Sequence, residues 1–156
     1  MKKNYLKFQN MHLNLSQMDD ANQVQLERIL AIDPHIRYAA ISDLDGNLIA
    51  SIKRPNVELF LSPDSTKDTL RHAAMAWKSR MKHEHEIGKG LYTLAVYEKL
   101  RRITMPLPNK RILLVTIDNA GGQKQILDSL LNEVFYKDPT FSSGYDSMLR
   151  NLIFQK

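Results

Sequence analysis

Residues 91–117 constrain the fold more than any other stretch, because they read as three successive β-strands with short turns between them. Residues 91–97, 101–107 and 111–117 are rich in strand-forming side chains. Turns this short join antiparallel neighbours. The third run is almost continuously apolar, which is typical of a central strand buried on both faces. We therefore predict an antiparallel meander in which 111–117 is the central strand of the whole sheet and 91–97 is an edge strand.

A β-hairpin and two helices are predicted ahead of this meander. Residues 36–42 and 47–52 alternate suitably for two strands, and Gly46 in the turn between them can adopt a positive φ. The first helix is expected at about 18–31, after a capping-box-like start at Ser16. The second is expected at 63–82, with Ser62 as its N-cap.

A last amphipathic helix is predicted after Gly122, with buried positions up to Val134. The complete order is then α-β-β-α-β-β-β-α, which predicts an α+β fold with helices packed on one antiparallel sheet. We assign residues 1–15 to a loosely ordered N-terminal arm and 16–136 to a single α/β domain. Residues 137–156 are interpreted as a linker and a short amphipathic tail.

Cysteine is absent from the chain, which excludes disulfides, thiolate metal sites and cysteine nucleophiles. No apolar run reaches the length of about 18 residues that a membrane span requires. Polar residues interrupt the first fifteen positions, so a secretory signal is not expected. These features predict a cytoplasmic protein with no membrane partner.

Positive charge is concentrated in residues 71–111, which hold ten Lys/Arg and three Glu, a local net charge of +7. A dense basic segment attracts nucleic acid, phosphorylated ligands or an acidic protein face, although a solvated surface gives the same pattern. The helix dipole also favours Lys and Arg at the end of the second helix. The candidate residues for binding a partner or an anion are Lys78, Lys82, Lys99, Arg101, Arg102, Lys110 and Arg111.

Residues that could carry catalysis are few, and we predict neither an enzyme nor a cofactor. The segment 83–86 alternates His and Glu, but it lies near a helix end and lacks the HExxH spacing of a zinc site. Asp43 and Asp45 are typical of a turn, since the other ligands of a calcium loop are missing. Gly121 and Gly122 precede a helix without a phosphate-binding motif.

The order of elements resembles the roadblock/longin/profilin-like group and also the sheet core of PAS-like sensor domains. The hairpin Tyr-Ala-Ala-Ile-Ser-Asp-Leu-Asp-Gly-Asn-Leu-Ile at 38–49 looks like the first hairpin of such domains. Segments at 62–78, 88–90, 97–98 and 103–107 are similar to an uncharacterised group of small archaeal single-domain proteins. The likeness covers about 32–133, and in both folds it implies a five-stranded sheet of order 2-1-5-4-3.

The single long helix at 63–82 favours the roadblock-like variant. That resemblance implies a non-enzymatic homodimer that scaffolds or regulates a small GTPase or another acidic protein, with a sheet edge or helix face in a twofold interface. The PAS-like alternative implies a cavity of a few hundred Å³ that binds a small ligand. A nucleic-acid-binding protein that uses the basic segment is the second alternative, and it predicts an affinity that falls with salt.

Overall fold

The computed structural model describes residues 2–136, with side chains for residues 17–135. A short π-helical turn, Asn132–Tyr136, ends the described chain. The predicted linker and tail at 137–156 lie outside the described residues. In chain order the elements are α1 (Lys2–Ala31), β1 (Ile36–Asp43), β2 (Leu48–Lys53), α2 (Pro63–Met81), α3 (Glu84–Ile87), β3 (Thr93–Val96), β4 (Leu100–Leu107), β5 (Arg111–Asp118) and α4 (Gln123–Leu131).

The five strands form one antiparallel sheet of order β2-β1-β5-β4-β3, which confirms the predicted fold class and strand order. β5 lies at the centre, where Val115 pairs with Ala39 of β1 and with Ile103 of β4. β3 is an edge strand, as predicted, and so is β2. Pro106 of β4 lies beyond the last β3 pair, Thr93 with Thr104, where its missing N–H removes no hydrogen bond to β3.

The main core lies on one face of the sheet, against α1 and α4. In α1, Leu26, Ile29 and Leu30 are buried at the predicted helical spacing. The helix begins at Lys2, however, so the predicted helix start after Ser16 is wrong, while the assignment of 1–15 to an arm outside the domain stays a prediction. The strands contribute alternate residues to the same core, including Ile41, Ile103, Met105, Leu113, Val115 and Ile117.

The opposite face of the sheet is covered by α2. Trp77 of α2 donates its indole N–H to Oγ1 of Thr104 on β4 at 2.9 Å, and both side chains are buried. Thr104 is a polar residue on this face, and α2 rather than solvent covers it. Leu70 of α2 packs with Tyr38, Ala40 and Leu114 in a second, smaller core.

Two local features fix the start and the position of α2. The Ser62 side chain accepts a hydrogen bond from the Ser65 backbone N–H at 3.1 Å, which confirms the predicted N-cap. The β1–β2 turn packs against the helix backbone, because a Cβ placed at Gly46 would lie 2.5 Å from the Cα of Arg71. Gly46 also has φ +83°, so both space and conformation require glycine.

Candidate functional site

A groove of about 630 Å³ lies between the N-terminal half of α2 and the second face of the sheet. The sheet contributes Tyr38, Leu114 and Thr116, and α2 contributes Thr66 and Thr69. Two further segments border it: the β3–β4 turn and the connection between β2 and α2, residues 54–62, which we call the strap. The groove is mainly apolar, with hydroxyl groups from three different elements.

Three cations of the groove lining lie over aromatic rings. The Cζ of Arg37 is 4.4 Å from the ring centroid of Phe60, and the Nζ of Lys99 is 5.9 Å from the same centroid. The Cζ of Arg102 is 5.2 Å from the ring centroid of Tyr97, and its Nη2 donates a hydrogen bond to the Tyr97 hydroxyl at 2.6 Å. Such contacts hold a cation in place while leaving much of its charge unneutralised.

Arg37 also ties the strap to the end of the sheet. Its Nη2 donates to the backbone carbonyl of Glu58 at 2.8 Å, and its Nη1 lies 3.3 Å from Oδ2 of Asp118. The backbone N–H of Ala120 donates to the Asp118 carboxylate, and this bond, together with Arg37, lowers the pKa of Asp118. Asp118 is therefore an anion at neutral pH, and Arg37 links it to the strap.

Tyr38 lies on the floor of the groove and adds no charge to it. This side chain is 7% exposed, and burial raises the pKa of its hydroxyl above the usual value near 10. A neutral phenol at neutral pH can donate or accept one hydrogen bond. The charges in the lining therefore come from its rim rather than from its floor.

A second candidate surface is the free edge of the sheet at β3. The strand has four residues, and its outer side has no partner strand among residues 2–136. Val96 is 66% exposed, and Ile87, just before the strand, is 84% exposed. Tyr92 is also an exposed large apolar residue. Exposed apolar side chains beside an unpaired edge are typical of an interaction surface.

Two of the predicted partner-binding residues have internal roles instead. Arg101 is buried, and its Nη2 donates to the backbone carbonyl of Asp118 at 2.8 Å and to that of Gly121. The prediction of Arg101 as a partner contact requires an exposed guanidinium, whereas this guanidinium holds the β5–α4 turn. Arg111 donates from Nε to the Pro108 carbonyl at 3.0 Å and from Nη1 to Asn22 of α1.

The other predicted cations do not form one patch. Lys78 pairs with Asp45 of the β1–β2 turn, and Lys82 is exposed at the C-terminus of α2. Lys110 lies in the β4–β5 turn, and the eight-residue strand β4 separates it from Lys99. At about 3.3 Å per residue, these two ends of the sheet are roughly 25 Å apart. Lys99 and Arg102 are the two predicted residues that meet at the groove.

Sequence reasoning missed Arg37, Phe60 and Tyr38. They come together through the strand order and the path of the strap, and no sequence motif indicates that they are close in space.

At 83–86, the Nδ1 of His83 lies 3.8 Å from Oε1 of Glu86, and both side chains are exposed. No group of three His, Asp or Glu among the described side chains is placed to hold a metal ion. None of the described helices combines the length and the apolarity needed to cross a membrane.

Solved structures with the same fold are roadblock-type domains. The gliding protein MglB from Thermus thermophilus matches with a TM-score of 0.59 and 13% identity, over 73% of this chain and 82% of that one. A structure described as MglB with tetrameric arrangement gives 0.59 and 14%, over 73% and 81%. A roadblock/LC7 domain from Streptomyces avermitilis gives 0.54 and 12%, over 80% and 94%.

These matches support the roadblock-like fold over the PAS-like alternative, while the archaeal similarity stays a prediction. No curated protein sequence matches this chain. A protein-family model described as a family of unknown function, DUF6659, matches residues 18–129, which cover the helical and sheet elements from the second half of α1 to α4. The chain therefore belongs to this family of unknown function.

Proposed function

We propose that this chain is a non-catalytic interaction domain that forms a homodimer through β3 and then binds a regulatory protein partner. The observation that carries the proposal is the free β3 edge with the exposed side chains of Ile87, Tyr92 and Val96. Two copies related by a twofold axis can pair this edge with itself and cover these side chains. One structural relative, MglB, is described with a tetrameric arrangement, which supports self-association of this fold.

The other sheet edge is a poorer candidate for assembly. α1 packs against β2, so a second sheet would have to pass this helix. β2 also ends in Lys53, and lysine on an edge strand discourages pairing with another strand. Self-pairing through β3 meets neither obstacle.

A small GTPase is the class of partner that the roadblock resemblance implies. The formal charge of +5 supports an acidic protein face as the complementary surface. The nucleic-acid alternative is less well supported, because Arg101 and Arg111 are used internally and Lys78 is paired with Asp45. A basic surface that binds nucleic acid needs these charges on one face.

Light scattering after size exclusion tests the assembly on the full chain. We expect a dimer for the native chain and a monomer for Val96→Lys, because a charged side chain on the paired edge strand would lose its contact with water. Leu48→Lys on β2 is the matched control, since Leu48 is 48% exposed on the opposite edge and should remain dimeric. A native monomer, or a dimer that survives Val96→Lys, contradicts the proposed interface.

The partner class requires a separate experiment. The tagged native chain and Val96→Lys are used for pull-down from native lysate, each with GDP or with a non-hydrolysable GTP analogue. We expect the native chain to recover a small GTPase in amounts that depend on the nucleotide. Equal recovery with the two nucleotides contradicts the GTPase proposal. In a separate mobility-shift experiment, binding of random DNA that weakens with salt would favour the nucleic-acid alternative.

A further inference from the structure

The groove beside α2 has the chemistry of a small-molecule site, which the proposed assembly does not use. Its volume of about 630 Å³ falls in the usual range for ligand pockets, about 300–1,000 Å³. Leucines from the strap, the start of β4 and β5 give it an apolar interior: Leu59, Leu61, Leu100 and Leu114. Tyr38, Thr69 and Thr116 add hydroxyl groups that come from different elements.

The charges of the groove are mostly positive. Arg37, Lys99 and Arg102 contribute three cations, whereas Glu98 is the single acidic residue in the lining that the described residues form. Of these cations, Arg37 alone forms an ion pair with a described side chain, Asp118. Lys99 and Arg102 are instead set over aromatic rings. The excess of positive charge next to an apolar interior is complementary to a ligand that has an anionic group joined to an apolar body.

Contacts within the protein orient these two cations before any ligand arrives. Arg102 is held by both the ring and the hydroxyl of Tyr97, at 2.6 Å to the oxygen. Phe60 contacts Lys99 from the strap, and the strap is itself held by the bond from Arg37 to Glu58. Arranging the binding groups in advance reduces the entropy lost on binding.

We propose that this groove binds a single-chain anionic amphiphile of the fatty-acid type. Its carboxylate would lie against Lys99 and Arg102, and its hydrocarbon chain along Leu100, Leu114 and Leu61. A second copy of the chain is a worse match, since the protein carries +5. The segment 137–156 is no better, because its three basic and two acidic residues also leave it positive.

A pair of fluorescent probes tests the proposal. Anilinonaphthalene sulfonate carries an anionic group, and phenylnaphthylamine is the same aromatic body without it. We expect the native full chain to bind the sulfonate with one site per protomer, about tenfold or more tighter than the neutral probe. Laurate should displace the sulfonate, and dodecanol should do so much less well.

Variants locate the site and separate it from unspecific apolar binding. Thr69→Trp should fill the groove and abolish binding of both probes, while Ser79→Trp, elsewhere on α2 and exposed, should leave binding unchanged. Arg102→Gln should weaken the sulfonate about tenfold and leave the neutral probe unaffected. Lys82→Gln removes the same charge outside the groove and should change neither. Circular dichroism checks that each variant is folded.

Three results would overturn the proposal. Equal affinity for the two probes would show that no anionic group is recognised. Sulfonate binding that survives Thr69→Trp would place the probe elsewhere. If the sulfonate bound to monomeric Val96→Lys but not to the native dimer, the second copy of the chain would be the occupant of the groove. The dimer itself is measured independently by light scattering, so failure of either proposal leaves the other testable.

Discussion

The indole N–H of Trp77 and the hydroxyl of Thr104 form a buried hydrogen bond of 2.9 Å between α2 and the centre of β4. Thr104 lies in turn 2.6 Å from the hydroxyl of Thr93 on β3. This chain of polar contacts ties the helix to the edge strand through the sheet. The Trp77 indole and the Thr104 hydroxyl both have hydrogen-bond partners, which is why these two polar groups are tolerated on this face.

Replacing Thr104 with Val should destabilise the protein by about 1–3 kcal/mol, because the buried indole N–H of Trp77 loses its acceptor. Urea denaturation followed by tryptophan fluorescence measures the free energy of unfolding. Thr93→Val is the control: it removes the hydroxyl contact on β3 but keeps the Trp77–Thr104 bond, so we expect a loss below about 1 kcal/mol. Equal losses in the two variants would contradict the role of this bond.

Gly46 and Gly88 provide a comparison of strain with and without crowding. Their φ values are +83° and +84°, but a Cβ at Gly88 meets no atom within 4 Å, whereas one at Gly46 meets the backbone of Arg71. Gly88→Ala should therefore cost only the conformational strain, about 1–2 kcal/mol. Gly46→Ala adds overpacking, and we expect a total of about 3 kcal/mol or more by urea denaturation. A Gly46→Ala loss no greater than that of Gly88→Ala would argue against tight packing of the turn.

The sheet was predictable because short turns leave few topologies. Three consecutive strands with three-residue connections must be antiparallel neighbours, and the apolar run at 111–117 must lie where both faces are covered. The N-terminal half of α1 was missed for the opposite reason. Residues 2–15 show no sustained helical period of apolar residues, and the capping-box-like pattern at Ser16 indicates a helix that begins after it.

The site could be predicted only in part. Arg101 shares its strand face with Ile103 and Met105, so strand alternation could have identified it as a core-facing residue. Thr104 illustrates the limit of this pattern. A polar side chain on the other face of the sheet gives the same sequence alternation whether water or a helix covers that face. The groove is formed by side chains from the strap, α2 and three strands, and no local sequence pattern predicts that they lie close together.

Arg101 and Arg102 are adjacent in sequence but should differ sharply in their effect on stability. Arg101→Met leaves the carbonyls of Asp118 and Gly121 without their buried donor, and we expect a loss of about 2–4 kcal/mol. Arg102→Met removes a contact with Tyr97 at the groove, and we expect less than about 1 kcal/mol. Chemical denaturation of both variants measures this. Similar losses would contradict the internal role of Arg101.

Acid should destabilise the end of the sheet through Asp118. The N–H of Ala120 and the guanidinium of Arg37 lower the pKa of this carboxyl in the folded state, so the unfolded chain binds the proton more readily. The resulting stability is present above the unfolded pKa of about 3.9 and is lost as pH falls through the lower folded value. Asp118→Asn should flatten the decline in unfolding free energy below about pH 4, measured by urea denaturation across pH. Arg37→Gln should flatten it less, because the Ala120 bond is the larger cause and persists. An unchanged acid limb in Asp118→Asn, or a larger change in Arg37→Gln, would contradict this assignment.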